Sequence, residues 1–457
     1  MKVLQLTYRA SSFSALAGLA LLATNSVALA QAPGTEPPVI QPLPADPQPA
    51  PLDPAQPPLV QSQPLQQDPL QGEFPAPPPI APAPVEEAPP APAGLKISAF
   101  VDAYYGFQTQ AQGTPNAVHR SYDFNRWVSE GDTNGGLAQN GFGLSWAGID
   151  ASYDGGQLGA TVSFRAGPSV PIYYGGDTGA LGLDNITQAY ATWTPTPKFS
   201  LDFGQFATIF GAEVANSWQN LNYTRGALYY AMQPAWHTGL RATVSPNEKV
   251  SITGMVVNGA NTVHDDNETP SLALQLSLAP NEAFSLAAGG MVTLNPSTDG
   301  GIFDTYLDLV AALTIERFSL VLNADLGVMG DKENEGPGYT QTLDNPMFWG
   351  VSLAAGFQAT DMFGVALRGE YLSDADNQLY KATRTNFGVT FPTTEETNVV
   401  TVTGTLDFKP VEGSNNLIIR WDNRIETSNE DIFFNRSSNE TNVWFGSILG
   451  VVVTTDS

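Results

Sequence analysis

Cysteine is absent from the 457 residues, which excludes disulfide staples, a thiol nucleophile and thiolate metal ligands. Histidine is nearly absent, with three. His119 and His264 sit in the polar stretches AVHRSYD and TVHDDNE, where a ring is ordinarily solvated. His237 adjoins Thr238, a weak nucleophile without a dedicated activating arrangement. No G-x-S-x-G occurs, so no catalytic residue is assigned and no enzyme is expected. Three scattered histidines make no zinc site. The acidic clusters Asp265-Asp266-Asn267-Glu268 and Gly131-Asp132-Thr133-Asn134 fall short of a calcium loop. No metal and no cofactor are expected.

Basic residues are scarce too: 19 against 45 acidic ones, for a net charge of −26. A nucleic-acid partner needs a basic face, so that class is excluded. Past the N-terminus there is no apolar run of the roughly 20 residues that a helical span requires. A soluble exported protein or a membrane β-barrel remains.

Export is read from the first thirty residues. Lys2 and Arg9 precede the run FSALAGLALLATNSVALA, which closes on Ala28-Leu29-Ala30. That is the form of a secretory signal with an A-x-A cleavage site, so residues 1–30 are expected to be removed. Residues 31–94 hold 22 prolines among 64 positions and no Lys or Arg. Proline removes backbone donors and fixes φ, so this segment reads as a disordered or polyproline II spacer. Its expected place is the periplasm, with cell-wall peptidoglycan as a partner.

From Leu95 the pattern changes to alternation. In RFSLVLNADLGV (317–328), Phe318, Leu320, Leu322, Ala324, Leu326 and Val328 fall on one face; Arg317, Ser319, Asn323 and Asp325 fall on the other. Period two means a strand with one apolar and one polar face. Sixteen such runs appear, near 95–108, 141–154, 157–167, 185–194, 198–207, 235–245, 248–259, 270–280, 283–294, 303–315, 317–329, 347–359, 362–373, 397–409, 415–427 and 441–454. They are long enough to cross a tilted bilayer, and their connections alternate between short and long, as in outer-membrane barrels. The expected fold is an all-β, transmembrane antiparallel β-barrel over 95–457, with about 16 strands (14–18 allowed by boundary error). Phe199, Phe284, Phe318 and Phe363 follow short turns and make the expected aromatic girdle against outer-membrane lipid.

Charges on the polar faces are expected to line a watery lumen: Asp102, Asp202, Asp304, Asp308, Asp325, Arg368, Glu370, Arg420, Asp422 and Arg424, with Arg165, Asp407 and Glu426. Alternating signs along 420–426 suggest neighbouring pairs that stiffen the wall.

One segment resembles a known family. FGQFATIFGAEVANSWQNLNYTRGALYYAMQPAWHTGLRA (203–242) carries Gly204-Gln205, Gly211-Ala212-Glu213, Asn222-Tyr223-Thr224-Arg225, Pro234 and His237-Thr238-Gly239-Leu240-Arg241. These resemble motifs of the beta-barrel porin family related to outer-membrane porins, with Gln205 and Thr224 as departures. FVDAYYGF (100–107) is similar to that family's opening strand. The C-terminal VWFGSILGVVVTTDS departs from the terminal aromatic residue that barrel assembly often reads. The resemblance implies a pore in a Gram-negative outer membrane passing small hydrophilic solutes, without naming one; trimers follow by analogy.

The same segment holds the third long connection, 208–234, rich in aromatics and poor in charge. Such a loop favours partial burial, and a sixteen-stranded barrel has room for it in the lumen. It is expected to form a constriction, with Glu213 and Arg225 opposed across it and Tyr229, Tyr230, His237 and Arg241 beside it. Tyr229, Tyr230 and Trp236 either pack the loop on the wall, face a sugar-like solute, or belong to the lipid girdle. The rival function is a structural or adhesive barrel linked to the envelope through its Pro-rich segment.

Overall fold

The computed structural model describes residues 94–109, 140–174, 185–263, 269–293 and 304–455, apart from 331, 337–338, 344, 378–382, 387–388, 393–395, 412–413, 436 and 438. The expected signal peptide, residues 31–93, His119, His264 and both acidic loop clusters lie outside the described residues.

Sixteen strands close into one antiparallel barrel. They are β1 (Gly94–Gln108), β2 (Gly141–Asp154), β3 (Leu158–Ala166), β4 (Ile186–Thr196), β5 (Phe199–Ala207), β6 (Trp236–Asn247), β7 (Val250–Val257) and β8 (Ser271–Asn281). After them come β9 (Phe284–Thr293), β10 (Thr305–Ile315), β11 (Phe318–Val328), β14 (Met347–Gln358), β15 (Phe363–Asp374), β18 (Thr397–Phe408), β19 (Leu417–Ser428) and β22 (Val443–Thr454). The remaining labels belong to three outlying hairpins: β12 (Lys332–Gly336) with β13 (Tyr339–Leu343), β16 (Thr383–Asn386) with β17 (Val389–Pro392), and β20 (Phe433–Phe434) with β21 (Glu440–Thr441). Closure comes from β1 pairing with β22, in register from Phe100 opposite Thr454 to Gln108 opposite Gly446.

The alternation decides which side of each strand meets which medium. Outward residues such as Leu274, Leu309, Leu353, Leu367 and Val402 are apolar and exposed, as a lipid-facing surface requires. Phe199, Phe284, Phe318 and Phe363 are the first residues of β5, β9, β11 and β15, and the last three are exposed. Short turns are held by their own side chains. Asn247 Oδ1 accepts from the Lys249 amide at 2.9 Å, Asn281 Oδ1 from Ala283 and Phe284 at 3.0 Å, and Thr360 Oγ1 from Phe363 at 3.1 Å. Such local acceptors satisfy amides that the ladder leaves open.

The connection from β5 to β6 behaves differently. Gly204 and Gly239 stand opposite each other in the register, at φ +137° and +154°. A Cβ on Gly204 would stand 2.8 Å from the Tyr190 Cα, so glycine is required at this point of the strand. Between the two strands, residues 208–235 pack inside the barrel with a short helix, α2 (Ala227–Ala231). A second short helix after β3, α1 (Val170–Tyr173), joins the same cluster. The apolar core thus lies within the barrel, where Phe206, Phe210, Trp218, Tyr223, Leu228, Met232 and Trp236 are buried against Phe100 and Trp146.

Candidate functional site

The inserted connection is bound to the wall mainly through charge. Asp102 on β1 accepts from the Tyr223 hydroxyl at 2.5 Å and from the Ser217 hydroxyl at 2.7 Å. Asp422 on β19 accepts from the Thr224 amide and hydroxyl, both at 2.8 Å, and from Thr405 at 2.6 Å. Two arginines of the same strand bind loop carbonyls. Arg420 Nη1 donates to Ser217 and Asn220 at 2.7 Å each, and Arg424 Nη1 donates to Arg225 at 2.9 Å. Bonds with an ionised partner are about twice as strong as neutral ones, so this side of the loop is held firmly.

Arg368 on β15 is the hub. It donates to Glu213 at 2.6 Å, to the Thr224 carbonyl at 2.8 Å, to Glu370 at 3.0 Å and to Thr403 at 3.3 Å. Glu213 in turn accepts from the Gly226 amide at 2.7 Å, and Glu370 from the Leu228 amide at 3.2 Å. Burial pushes the Glu213 carboxyl above the usual carboxylate range, against the pull of Arg368. The opposite edge of the loop touches the wall more sparingly: the Ala212 amide donates to Asn323 at 2.9 Å, and Gln275 donates to the Ile209 carbonyl at 2.5 Å.

Several expectations change against this geometry. Glu213 does not face Arg225 across water: its partner is Arg368, while Arg225 is fully buried with its guanidinium 4.6 Å from the Tyr173 ring centroid. Tyr229 and Trp236 are buried inside rather than placed at the lipid face, and the Tyr230 and Tyr173 hydroxyls stand 2.7 Å apart. His237 and Arg241 hold the roots of the loop. His237 bonds the Gly259 carbonyl at 2.9 Å and Thr208 at 3.1 Å; Arg241 pairs with Asp202 at 2.8 Å.

The wall charges are not bathed in a watery lumen either. Asp102, Asp304, Asp308, Asp325, Arg368, Glu370, Arg420, Asp422 and Arg424 are all buried, because the loop and neighbouring side chains fill the space beside them. Along 420–426, Arg424 pairs with Glu426 at 2.6 Å, whereas Arg420 pairs across strands with Asp407 at 2.8 Å and Asp422 serves the loop. Asp308 and Asp325 oppose each other on β10 and β11, and Asn323 Nδ2 donates to both at 3.0 Å. Sequence reasoning missed Ser217, Asn222 and Thr405. Asn222 donates to Thr405 at 2.6 Å, and only its place in the quoted segment marked it.

Space remains beside the docked loop. A cavity open in part to solvent lies between loop residues 212–222 and the walls of β11, β14 and β15. A closed barrel with an even number of strands, apolar outside and polar inside, belongs to the outer-membrane class of β-barrels.

Within that class the comparisons are specific. Residues 94–454 match the model of the family described as "Putative beta-barrel porin-2, OmpL-like", and the chain belongs to that family. The barrel is therefore that of an outer-membrane, porin-like protein. No curated protein matches the chain. Among solved structures it is similar to OmpT of Vibrio cholerae, at 11% identity and TM-score 0.47, covering 81% of this chain and 100% of that one. It is also similar to an anion-selective porin from Comamonas acidovorans, at 9% identity and TM-score 0.49, covering 79% and 99%. Salmonella typhi OmpF is similar at 11% identity and TM-score 0.46, covering 79% and 97%.

Proposed function

We propose that the chain forms a non-enzymatic, water-filled channel for passive diffusion of small hydrophilic solutes across the outer membrane, narrowed by residues 208–234. One observation carries this reading: the third long connection lies inside the barrel, yet a cavity open in part to solvent remains between it and the β11–β14–β15 wall. A loop bonded to one side of the wall and separated from another by a cleft leaves a path whose width the loop sets. Residues 31–94 serve as a periplasmic spacer that reaches peptidoglycan, and three copies assemble side by side through their apolar outer faces.

A second reading is favoured by the completeness of the loop's docking, in which Arg225, Asp422 and Arg424 are fully or almost fully buried. A barrel plugged in this way serves as a structural or adhesive element. Single-channel recording in planar bilayers separates the two, using the intact chain and a variant whose residues 211–232 are replaced by a short Gly-Ser linker. Steps that grow severalfold in the variant support the narrowed pore. Unchanged steps keep the pore and remove the loop's role. Silence in both, from folded protein, supports the plugged barrel.

A further inference from the structure

The cavity beside the loop has a chemistry of its own, and the charged residues do not set it. Glu213 and Arg368 border it, but they neutralise each other. Both Glu213 oxygens are engaged, one by Arg368 and one by the Gly226 amide. All three Arg368 nitrogens are engaged as well, and its side chain is 1% exposed. An ion entering a narrow space sheds hydration that only uncompensated charge or many dipoles can replace. This pair offers neither.

What the cavity does present are neutral groups of both kinds. Asn222 Oδ1 is a buried acceptor with no partner, because the amide turns its nitrogen to Thr405. Gln219 takes a bond from Asn216 through its oxygen at 3.1 Å, and its nitrogen has no acceptor among the described residues. The Ser352 hydroxyl on β14 likewise lines the space without a partner among the described residues. Between them stand Leu221, Leu228 and Val321. Asn323, which lines the cavity, gives its amide nitrogen to Asp308 and Asp325.

A hydroxyl group both donates and accepts, and a sugar ring alternates hydroxyl edges with C–H faces. Unpaired amides and hydroxyls that would lose water to an ion without recompense suit such a solute, since buried polar groups must find partners.

We propose that this cavity selects uncharged, polyhydroxylated solutes over ions and over charged solutes of the same size. The proposal rests on the pore reading above and names its substrate class. It places selectivity in the neutral groups Asn222, Gln219 and Ser352, and assigns the charged residues to holding the loop.

The test is swelling of proteoliposomes containing the full chain, with a neutral hexose, gluconate and glucosamine as matched solutes, alongside ionic conductance. The hexose is expected to enter severalfold faster than either charged relative. Ser352→Leu, a change on the barrel wall outside the loop, is expected to slow hexose entry severalfold; Gln219→Leu, which leaves the wall intact, acts in the same direction. Conductance together with gluconate or glucosamine entry that equals or exceeds hexose entry overturns the neutral selectivity and leaves the pore standing. Absence of both swelling and conductance, from protein shown to be folded, overturns the pore reading and this inference with it.

Discussion

The two sides of the barrel wall share one outer surface and differ on the inner one. Outward, β7–β9 and β15, β18, β19 and β22 alike present Leu, Val and Phe. Inward, β15, β18, β19 and β1 carry Arg368, Glu370, Asp407, Arg420, Asp422, Arg424, Glu426 and Asp102, whereas β7, β8 and β9 carry Ser251, Thr253, Ala273, Gln275, Ser277 and Ala287 and no charge. The loop's partners follow this division: the charged side binds it through Asp102, Arg368, Arg420, Asp422 and Arg424, the neutral side through Gln275. Across these two groups of strands, inner-face charge marks where the connection docks.

The difference is most strongly tested at Arg368. Arg368→Met removes the cation shared by Glu213 and Glu370 and leaves two carboxylates at the loop interface without it. Breaking a buried pair on one side costs about 3–5 kcal/mol. We expect a lower urea midpoint of unfolding and larger, noisier conductance steps as the loop loosens. A variant with unchanged stability and unchanged steps would place the docking elsewhere.

Gly450 tests the same interface by size. It lies on the inner face of β22, and a Cβ there would meet the Tyr223 ring. Gly450→Leu is expected to displace Tyr223, at about 1–3 kcal/mol for an overpacked site, and to raise conductance less than Arg368→Met does. Wild-type conductance and stability in this variant would mean that the ring has room to spare.

All sixteen strands were legible from alternation, each to within two residues at either end, because a strand between lipid and a polar interior must change character at every residue. The outlying hairpins were not: Lys332–Leu343, for example, reads KENEGPGYTQTL and has no apolar face to announce it. The site was legible in half. The aromatic, charge-poor run 219–240 pointed to burial, and the inner-face charges could be read strand by strand. Their partners could not. Asp422 is satisfied by Thr224 at a separation of 198 residues, and Arg368 by Glu213 at 155. No local pattern encodes which loop residue reaches which wall residue, so alternating charges looked like a wet lumen when they form a docking surface.

Tyr223→Phe isolates one bond of that surface. The ring stays, and the hydroxyl that donates to Asp102 at 2.5 Å is lost, while Ser217 continues to donate to the other oxygen. An unsatisfied buried acceptor costs about 1–3 kcal/mol, and the remaining Ser217 bond holds the effect toward the lower end. The expected reading is a modest drop in the unfolding midpoint with steps of wild-type size.

The smallest effect is expected on the neutral side, at Ser251 on β7, whose hydroxyl accepts from Ser245 at 3.4 Å. Ser251→Ala removes one end of a long, weak contact and no charge, so the change should stay within about 0.5 kcal/mol, with no change in conductance. If Ser251→Ala instead destabilised the barrel as much as Tyr223→Phe, the neutral side would be holding the lumen contents too. The division between a charged docking side and a neutral side would then fail at its weakest point, however well the charged side had behaved.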